Sequence, residues 1–394
     1  GLLSLNKLKP SMLHEINFAV NITYNGAFMQ DSCNSTDCWD ALYLQYLFNG
    51  ILLPILSAFG VLGNALTMVV LWRREMQSST IIFMRGLVVT DTGIIIVACL
   101  ALTPYTLAFY HPALKYFKDV IYPNLYTPCL FLVMTIQQCN VWITVSTSVE
   151  RYIAICHPFR ASKWISKLKT KITLIVITVT SILYNIPRCL AFKTKSPCEE
   201  GGQVREDCYV VSTTEFGNSK FFDFYKVYLY TFLIYVIPLC ALFVLNLLII
   251  LELMRMRKRR AGMNIQEDNE ANLSLVLVLI VVVFLFCQTP GLLAQFDSWF
   301  DPFVMIKWLA VSNFLFVTNS SVNFLIYTGV GRKFRKVLKK LFSNVFRGAS
   351  FSEISRTSVS RRGTLGGYEL NNANDTAVSD DSQVDNLEKM RLKD

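Results

Sequence analysis

Two adjacent charges, Glu150 and Arg151, lie near the end of an apolar stretch that runs from Cys129 to Pro158. The stretch is long enough to cross a bilayer, which takes about 20 residues of helix. A charge at such a boundary is costly unless it is paired or reaches water. The chemistry open to these two side chains is therefore charge pairing. A lone arginine here could also be a side chain that reaches the lipid–water boundary, so the residues around it must decide.

A third charge, Asp91, lies in the middle of the apolar sequence Gly-Leu-Val-Val-Thr-Asp-Thr-Gly-Ile-Ile-Ile. An intramembrane carboxylate is a candidate functional group, because its burial requires a partner or an ion. The alternative is a structural aspartate that is hydrogen-bonded to its neighbours. The three histidines of the chain lie far apart, which argues against a histidine-rich metal site.

The elements that position these charges can be read from the composition. Of the 394 residues, 53% are hydrophobic and only 17% are charged, and the apolar residues lie in long runs. This pattern favours membrane spans over a large soluble core. The net charge is +10, and its basic clusters, at 255–260 and 332–340, directly follow apolar runs. Cytoplasmic anchoring explains such clusters better than nucleic-acid binding does.

Seven apolar runs are long enough to span a membrane. They cover residues 46–72, 81–109, 124–156, 172–192, 223–254, 272–296 and 302–328. The connections after the first, third and fifth runs are rich in lysine and arginine, whereas the opposite connections are mixed or acidic. The sequence therefore predicts an all-α membrane protein, a seven-transmembrane helix bundle in the plasma membrane, with its amino terminus outside and its carboxyl terminus inside.

The regions outside the bundle, 46–328, are polar. Residues 1–45 are expected to form an extracellular tail that is glycosylated at Asn21 and Asn34, each of which begins an Asn-x-Thr sequon. Residues 331–342 place apolar side chains on one helical face and cations on the other, as in a helix that lies along the inner leaflet. Residues 343–394 are rich in serine and threonine and are expected to be disordered.

The string Glu-Arg-Tyr-Ile-Ala-Ile-Cys-His-Pro, at 150–158, resembles the cytoplasmic end of the third span in rhodopsin-like (class A) G-protein-coupled receptors. The sixth span matches the Phe-x-x-Cys-Trp-x-Pro pattern of that family, except that Gln288 replaces the tryptophan. Its Pro290 removes a backbone hydrogen bond and predicts a kink. In the seventh span, Phe324 replaces the proline of the family's Asn-Pro-x-x-Tyr pattern.

Two further strings, Tyr-Asn-Ile-Pro-Arg at 184–188 and Asn-Ser-Ser-Val-Asn-Phe-Leu-Ile-Tyr at 319–327, resemble the invertebrate FMRFamide-receptor group. The resemblance implies a receptor, not an enzyme, that a short amidated neuropeptide activates. Its implied partners are a heterotrimeric G protein, arrestin, receptor kinases and the lipid bilayer, with no nucleic acid. A thyrotropin-releasing-hormone-like ligand is one alternative. A transporter or channel and a non-signalling peptide scavenger are two others.

The resemblance also assigns roles to single residues. The activation switch and G-protein coupling fall to Glu150, Arg151, Tyr152, Glu270, Pro290, Asn323 and Tyr327. A polar cavity that binds Na⁺, the one cofactor expected, is lined by Asp91, Asn64, Asn140, Asn319, Ser320 and Asn323. Glu270 is expected to pair with Arg151, although a solvated acid is the alternative.

The outer loops contain several acidic residues, which would suit a basic, amidated peptide but also fit an ordinary solvated loop. The candidate ligand-binding residues beside them are Gln137, Gln288, Gln295, Trp299 and Asn313.

Most relatives tie the top of the third span to the second outer loop by a disulfide, and here Cys129 lies about one turn deeper than that position. Six outward-facing cysteines allow 15 pairings. The expected pair is Cys129–Cys208, with Cys198–Cys208 as the rival.

Overall fold

Seven helices in the described part of the chain are long and apolar enough to cross a membrane, and they confirm the predicted bundle. The computed structural model describes residues 36–196, 198–200, 203–258, 265–294 and 300–343. In chain order, the seven spans are Thr36–Leu71, Ser79–Leu107, Pro112–Cys156, Lys167–Ala191, Lys220–Met256, Asn272–Leu293 and Pro302–Ser321.

Three of these helices contain irregular turns. The first span has a π-helical segment at Tyr46–Leu52. The third span begins with a 3₁₀ turn at Pro112–Leu114 and a π turn at Phe117–Ile121, before its α-helical part, Tyr122–Cys156. The fifth span begins at Lys220–Asp223, passes through π segments at Phe224–Leu229 and Thr231–Val236, and continues as Ile237–Lys258. The sixth span is the apolar part of the longer helix Ile265–Leu293.

The first helix begins at Thr36, about ten residues before the predicted start at 46. Its opening turns mix polar and apolar residues, so a search for apolar runs passes over them. Cys38, Ala41 and Leu42 are nevertheless buried, and this part of the helix packs against the seventh span. Packing against another helix, rather than immersion in lipid, accounts for this extension.

Polar caps begin several of the spans. Ser78 Oγ accepts a hydrogen bond from Ile81 N at 3.3 Å, and Ser166 Oγ accepts one from Lys169 N at 3.3 Å. Asp301 Oδ1 accepts from Phe303 N at 2.9 Å. Such caps satisfy backbone donors that the first helical turn leaves without a partner.

The third span lies at the centre of the bundle. Its apolar window is 67% buried, against 28% for the fourth span, which presents Leu168, Ile175 and Leu183 on its outer surface. An apolar surface of this kind is suited to lipid. The residues of the third span are therefore placed to contact several helices at once.

Between the fourth and fifth spans, the described residues form four short strands. They form two antiparallel pairs, β1 (Phe192–Lys195) with β4 (Val210–Thr213) and β2 (Cys198–Glu200) with β3 (Gln203–Arg205). Phe192 faces Thr213 in the register of the first pair. Two hydrogen bonds tie this loop to the third span, Tyr209 N to Asp119 O at 2.9 Å and Thr194 Oγ1 to Pro123 O at 3.1 Å.

At the other end of the bundle, the described part of the chain forms three short helices. They are Pro158–Trp164, Asn323–Val330 and residues 332–343. We name the last of these the surface helix, since Phe334 and Val337 are buried while Lys333, Lys336 and Lys339 are exposed. The chain divides into two units, Gly1–Leu341 and Phe342–Asp394, and all contacts described below lie within the first.

Candidate functional site

The charges at 150–151 form a buried pair. Arg151 Nη2 lies 3.8 Å from Glu150 Oε1, and both side chains are 6% exposed. The same Glu150 oxygen accepts a hydrogen bond from Ser79 Oγ at the start of the second span. Glu150 is therefore shared between its neighbour in the third span and the second span. This arrangement can change when the second and third spans move, because the carboxylate contacts a partner on each of them.

Tyr152 and Glu270 are two further residues of the predicted switch. Tyr152 OH lies 3.3 Å from His157 Nε2, and its ring meets the histidine ring edge-on at 5.4 Å. Glu270 belongs to the helix Ile265–Leu293, but its side chain lies outside the described residues. Its pairing with Arg151 stays a prediction.

Asp91 is the centre of a second polar cluster. It is 1% exposed, and its two carboxylate oxygens accept hydrogen bonds from different helices. Asn140 Nδ2 donates to Oδ1 at 2.8 Å, and Asn323 Nδ2 donates to Oδ2 at 2.7 Å. Asn140 Nδ2 also lies 2.9 Å from Thr90 Oγ1. The cluster therefore joins the second span, the third span and the helix that follows the seventh span.

The same region holds oxygen atoms that could coordinate a cation. Asn64 donates to the backbone oxygen of Ser320 at 3.1 Å, while Asn64 Oδ1 and Asn323 Oδ1 are buried and have no hydrogen-bond partner among the described residues. Asn319 is buried on the same turn. Buried oxygens without partners are costly, and hard cations prefer oxygen ligands. These residues therefore fit a small cation, with Asp91 as the compensating charge.

Tyr327 and Phe324 connect this cluster to the surface helix. Tyr327 is buried, and its ring lies 5.5 Å from that of Phe334. Phe324, which stands where the family pattern has a proline, packs closely on the first span. A Cβ atom added to Gly63 would lie 2.9 Å from Phe324 Cβ. A side chain at position 63 would therefore separate the two helices.

A narrow cavity of about 40 Å³ lies about 20 Å from Arg151 along the third span, at 1.5 Å per residue. Three of the predicted ligand-binding residues, Gln137, Gln288 and Asn313, line it and are buried. Gln295 and Trp299 lie outside the described residues. The structure thus brings together the three predicted side chains that it describes.

Other residues of this cavity escaped the sequence analysis. They are Met134, Tyr230, Tyr235, Cys287, Gly291, Ala294, Leu309, Ser312 and Phe316. Tyr230 OH donates to Gln137 Oε1 at 3.2 Å. The two tyrosines could have been recognised in the sequence from their position, because each places a hydroxyl inside an apolar span.

The Tyr-Asn-Ile-Pro-Arg string of the fourth span lies next to the cavity wall that contains Gln137 and Tyr230. Asn185 Nδ2 donates to Gln138 Oε1 at 2.9 Å, and Arg188 Nε donates to Asn185 Oδ1 at 3.1 Å. The Arg188 guanidinium lies 4.9 Å from the centre of the Tyr230 ring. A cation over an aromatic face is attracted by the ring quadrupole. The fourth span therefore helps to orient Tyr230 towards Gln137.

Pro290 links the sixth and seventh spans. It lies inside the helix Ile265–Leu293, and its backbone oxygen accepts a hydrogen bond from Trp308 Nε1 at 2.9 Å. A proline removes the backbone donor that would continue the helix, so the helix can bend here. The Trp308 bond holds the seventh span to the turn at which that bend is expected.

The predicted Cys129–Cys208 bridge is wrong. Cys129 is a free thiol, whereas Cys208 and Cys38 are each disulfide-bonded. The hydrogen bond from Tyr209 N to Asp119 O places Cys208 beside Asp119, ten residues before Cys129 on the third span. Ten residues of helix correspond to about 15 Å, and a disulfide requires Cα atoms within about 7 Å. The rival pair stays a prediction, because the Cys198 side chain lies outside the described residues, as do Asn21 and Asn34.

Comparison with known proteins gives a consistent result. Residues 63–327, about two thirds of the chain, match the model of the family described as the 7 transmembrane receptor (rhodopsin family). The FMRFamide receptor of Drosophila melanogaster is 30% identical over 76% of this chain and 54% of its own length. An FMRFamide peptide receptor of Caenorhabditis elegans is 26% identical over 74% of this chain and 68% of its own length. The chain thus spans about half the length of the Drosophila relative.

Proposed function

We propose a function for this chain on the basis of its family. It belongs to the rhodopsin family of seven-transmembrane receptors. It is a multi-pass membrane protein and a receptor, not an enzyme. The function that its site supports best is activation by a short amidated neuropeptide of the FMRFamide type, with signalling through a heterotrimeric G protein. Two relatives are named as FMRFamide receptors, which supports this choice of ligand.

The observation that carries the proposal is the set of carboxamide side chains at the cavity. Gln137, Gln288 and Asn313 each offer both donors and an acceptor, which complement a terminal carboxamide. A volume of about 40 Å³ accepts a group of that size and not a whole peptide. We infer that the amidated end enters the cavity, while the rest of the peptide lies further out.

The opposite end of the bundle would face the G protein. The basic connections 73–74 and 160–171 and the cations of the surface helix favour a cytoplasmic location for this end, with the amino terminus outside. Arg151 lies at this end and would contact the G protein once the bundle opens. Arrestin and receptor kinases would act on the serine- and threonine-rich tail, 343–394, which lies almost entirely outside the described residues.

The Asp91 cluster would hold a sodium ion in the resting receptor. Its carboxylate supplies charge, and the oxygens of Asn64, Ser320 and Asn323 supply further ligands. A bound cation would link the second span to the helix after the seventh span. We propose that the ion thereby favours the resting arrangement over the active one.

A calcium and cAMP assay in cells that express the full chain tests the ligand proposal. The probe is FMRFamide, and the matched control is the same peptide with a free carboxylate. We expect the carboxylate form to be at least about 10-fold weaker, because an unmatched buried polar group costs about 1–3 kcal/mol. Equal potency of the two forms, or no response to a panel of amidated peptides at verified surface expression, would contradict the proposal.

A further inference from the structure

Arg188 is a buried cation in the last turn of the fourth span, and only 6% of it is exposed. It is not one of the described residues that line the outer cavity, as we name the cavity of about 40 Å³. Its guanidinium lies 5.4 Å from the centre of the Tyr225 ring and 4.9 Å from that of the Tyr230 ring. Among the residues that the structure describes, no carboxylate forms an ion pair with it. Burial of a charge without a counterion is costly, so the two aromatic faces must offset part of that cost.

A π-helical segment of the fifth span places both tyrosines beside the one guanidinium. Tyr225 lies within the segment Phe224–Leu229, and Tyr230 is the residue that follows it. In an α-helix, five residues make about 1.4 turns, so residues five positions apart lie on different sides. In a π turn, the hydrogen bonds join residues five positions apart, which brings such residues nearly into line. The π segment therefore allows one cation to contact both rings.

Arg188 also fixes the direction of a chain of hydrogen bonds. Because a guanidinium can only donate, the neighbouring amide must turn its oxygen towards it. Arg188 Nε donates to Asn185 Oδ1 at 3.1 Å. The NH₂ group of Asn185 then donates to Gln138 Oε1 and to Ser181 O, each at 2.9 Å. The donor-only side chain thus selects one of the two orientations of the Asn185 amide.

On its other side, Arg188 influences the orientation of Gln137 through Tyr230. Tyr230 OH donates to Gln137 Oε1 at 3.2 Å, and both residues line the outer cavity. The positive charge beside the Tyr230 ring repels an approaching N–H group, so it disfavours the reverse arrangement in which the tyrosine oxygen accepts. Gln137 therefore turns its oxygen to Tyr230, and its NH₂ group is left to donate elsewhere.

We propose that Arg188 is a positioning residue of the peptide site, which acts through Tyr230 so that Gln137 donates its NH₂ group to the carbonyl oxygen of the peptide's terminal carboxamide. This role rests on the proposed function, because it assigns one contact within that site. Gln288 and Asn313 would supply the acceptor for the terminal NH₂ group. Without Arg188, Gln137 could turn its oxygen towards the cavity, where it would repel the carbonyl oxygen of the peptide.

A double-mutant cycle tests whether Arg188 acts through Tyr230. The potency of FMRFamide is measured for the full-length wild type, Arg188→Met, Tyr230→Phe and the double variant, at matched surface expression. We expect each single change to lower potency about 10-fold, the effect of one lost buried hydrogen bond, and the double variant to lose no more than the weaker single variant. Lys193→Met, the matched control, removes an exposed cation of β1 and should change potency less than about 2-fold.

A second probe tests the contact with the carbonyl oxygen. It is the same peptide with a terminal thioamide, in which sulfur, a weaker acceptor, replaces that oxygen. We expect the wild type to prefer the amide about 5- to 10-fold, and Arg188→Met to prefer it less than about 2-fold. A purely structural role of Arg188 would lower the potency of both peptides equally and leave the preference unchanged. Arg188→Gln is carried through the same measurements, so the comparison does not depend on the folding of one variant.

The outcomes separate this role from the proposed function. Multiplicative losses of potency in the cycle, or an unchanged preference for the amide in Arg188→Met and Arg188→Gln, would overturn the role of Arg188 while the receptor still responds to the peptide. Absence of any response of the wild type to amidated peptides would contradict the proposed function, and this role with it. The wild type alone decides that second question, before any variant is compared.

Discussion

Asn323 donates a hydrogen bond of 2.7 Å to Asp91 Oδ2, although 232 positions separate the two residues in the chain. The other oxygen of the same carboxylate accepts from Asn140 at 2.8 Å. One buried acid thereby joins the second span, the third span and the helix after the seventh span. A change at Asp91 is therefore expected to affect three helices at once.

The first prediction concerns Asp91→Asn. This change removes the charge that would hold sodium. It also replaces one carboxylate oxygen by an NH₂ group, which cannot accept the hydrogen bond that an asparagine side chain now donates to that oxygen. We expect peptide affinity to lose its dependence on sodium, measured as binding in sodium chloride against N-methylglucamine chloride. Asp223→Asn, at a half-exposed acid that pairs with Lys226 at 3.1 Å, serves as the control. If sodium still alters the affinity of Asp91→Asn, the aspartate has only a structural role.

The second prediction concerns Glu270. If Glu270 pairs with Arg151 in the resting receptor, Glu270→Gln should raise ligand-independent signalling a few-fold. Partly solvated ion pairs contribute about 1 kcal/mol or less, which limits the increase to about 5-fold. Glu267→Gln, at an acid three positions earlier, should leave basal signalling unchanged. Basal activity at the wild-type level in both variants, at matched surface expression, would identify Glu270 as a solvated acid.

The third prediction concerns Arg151 itself. Arg151→Ala should abolish most agonist-driven signalling while the peptide still binds, because the arginine would contact the G protein in the open state. Arg160→Ala removes an exposed cation of the neighbouring helix Pro158–Trp164 and should signal normally. Peptide binding and G-protein activation are measured on the same membranes. Normal signalling by Arg151→Ala would remove the coupling role from this residue.

The fourth prediction concerns the contact between Gly63 and Phe324. Gly63→Ala would place a methyl group 2.9 Å from Phe324 Cβ, and overpacking of this kind costs about 1–3 kcal/mol. We expect a lower unfolding temperature in detergent and partial recovery on Phe324→Ala. Gly329→Ala is the control, because no atom of the described residues lies within 4 Å of its added Cβ. Equal unfolding temperatures for Gly63→Ala and the wild type would show that the two helices can separate at little cost.

The fifth prediction concerns Gln288, the residue that replaces the family's tryptophan. Gln288→Leu keeps the approximate size of the side chain but removes its donors and acceptor from the outer cavity. We expect the potency of FMRFamide to fall by about 10- to 100-fold, since one lost buried hydrogen bond costs about 1–3 kcal/mol. Thr289→Val, at an exposed residue whose hydroxyl donates to Leu285 O, should leave potency unchanged. Unaltered potency in Gln288→Leu would exclude this side chain from the ligand site.

The amino-acid sequence determined the features that depend on local composition. Each span needs only about 20 apolar residues in succession, so all seven could be predicted, and Arg151 and Asp91 could be recognised as charges in apolar surroundings. The start of the first helix at Thr36 was not predictable in this way. Its first turns are not apolar throughout, and they are stabilised by packing against the seventh span.

The tertiary structure decided which distant residues meet. The depth and rotation of each helix set these contacts, and neither can be read from a single span. Cys129 is free because it lies about 15 Å below the point at which the outer loop reaches the third span. Tyr230 joins Gln137 through the rotation of the fifth span, and Asn323 reaches Asp91 only because the helix after the seventh span packs beside the second. A pattern along the chain records which side chains are polar, whereas helix packing selects their partners.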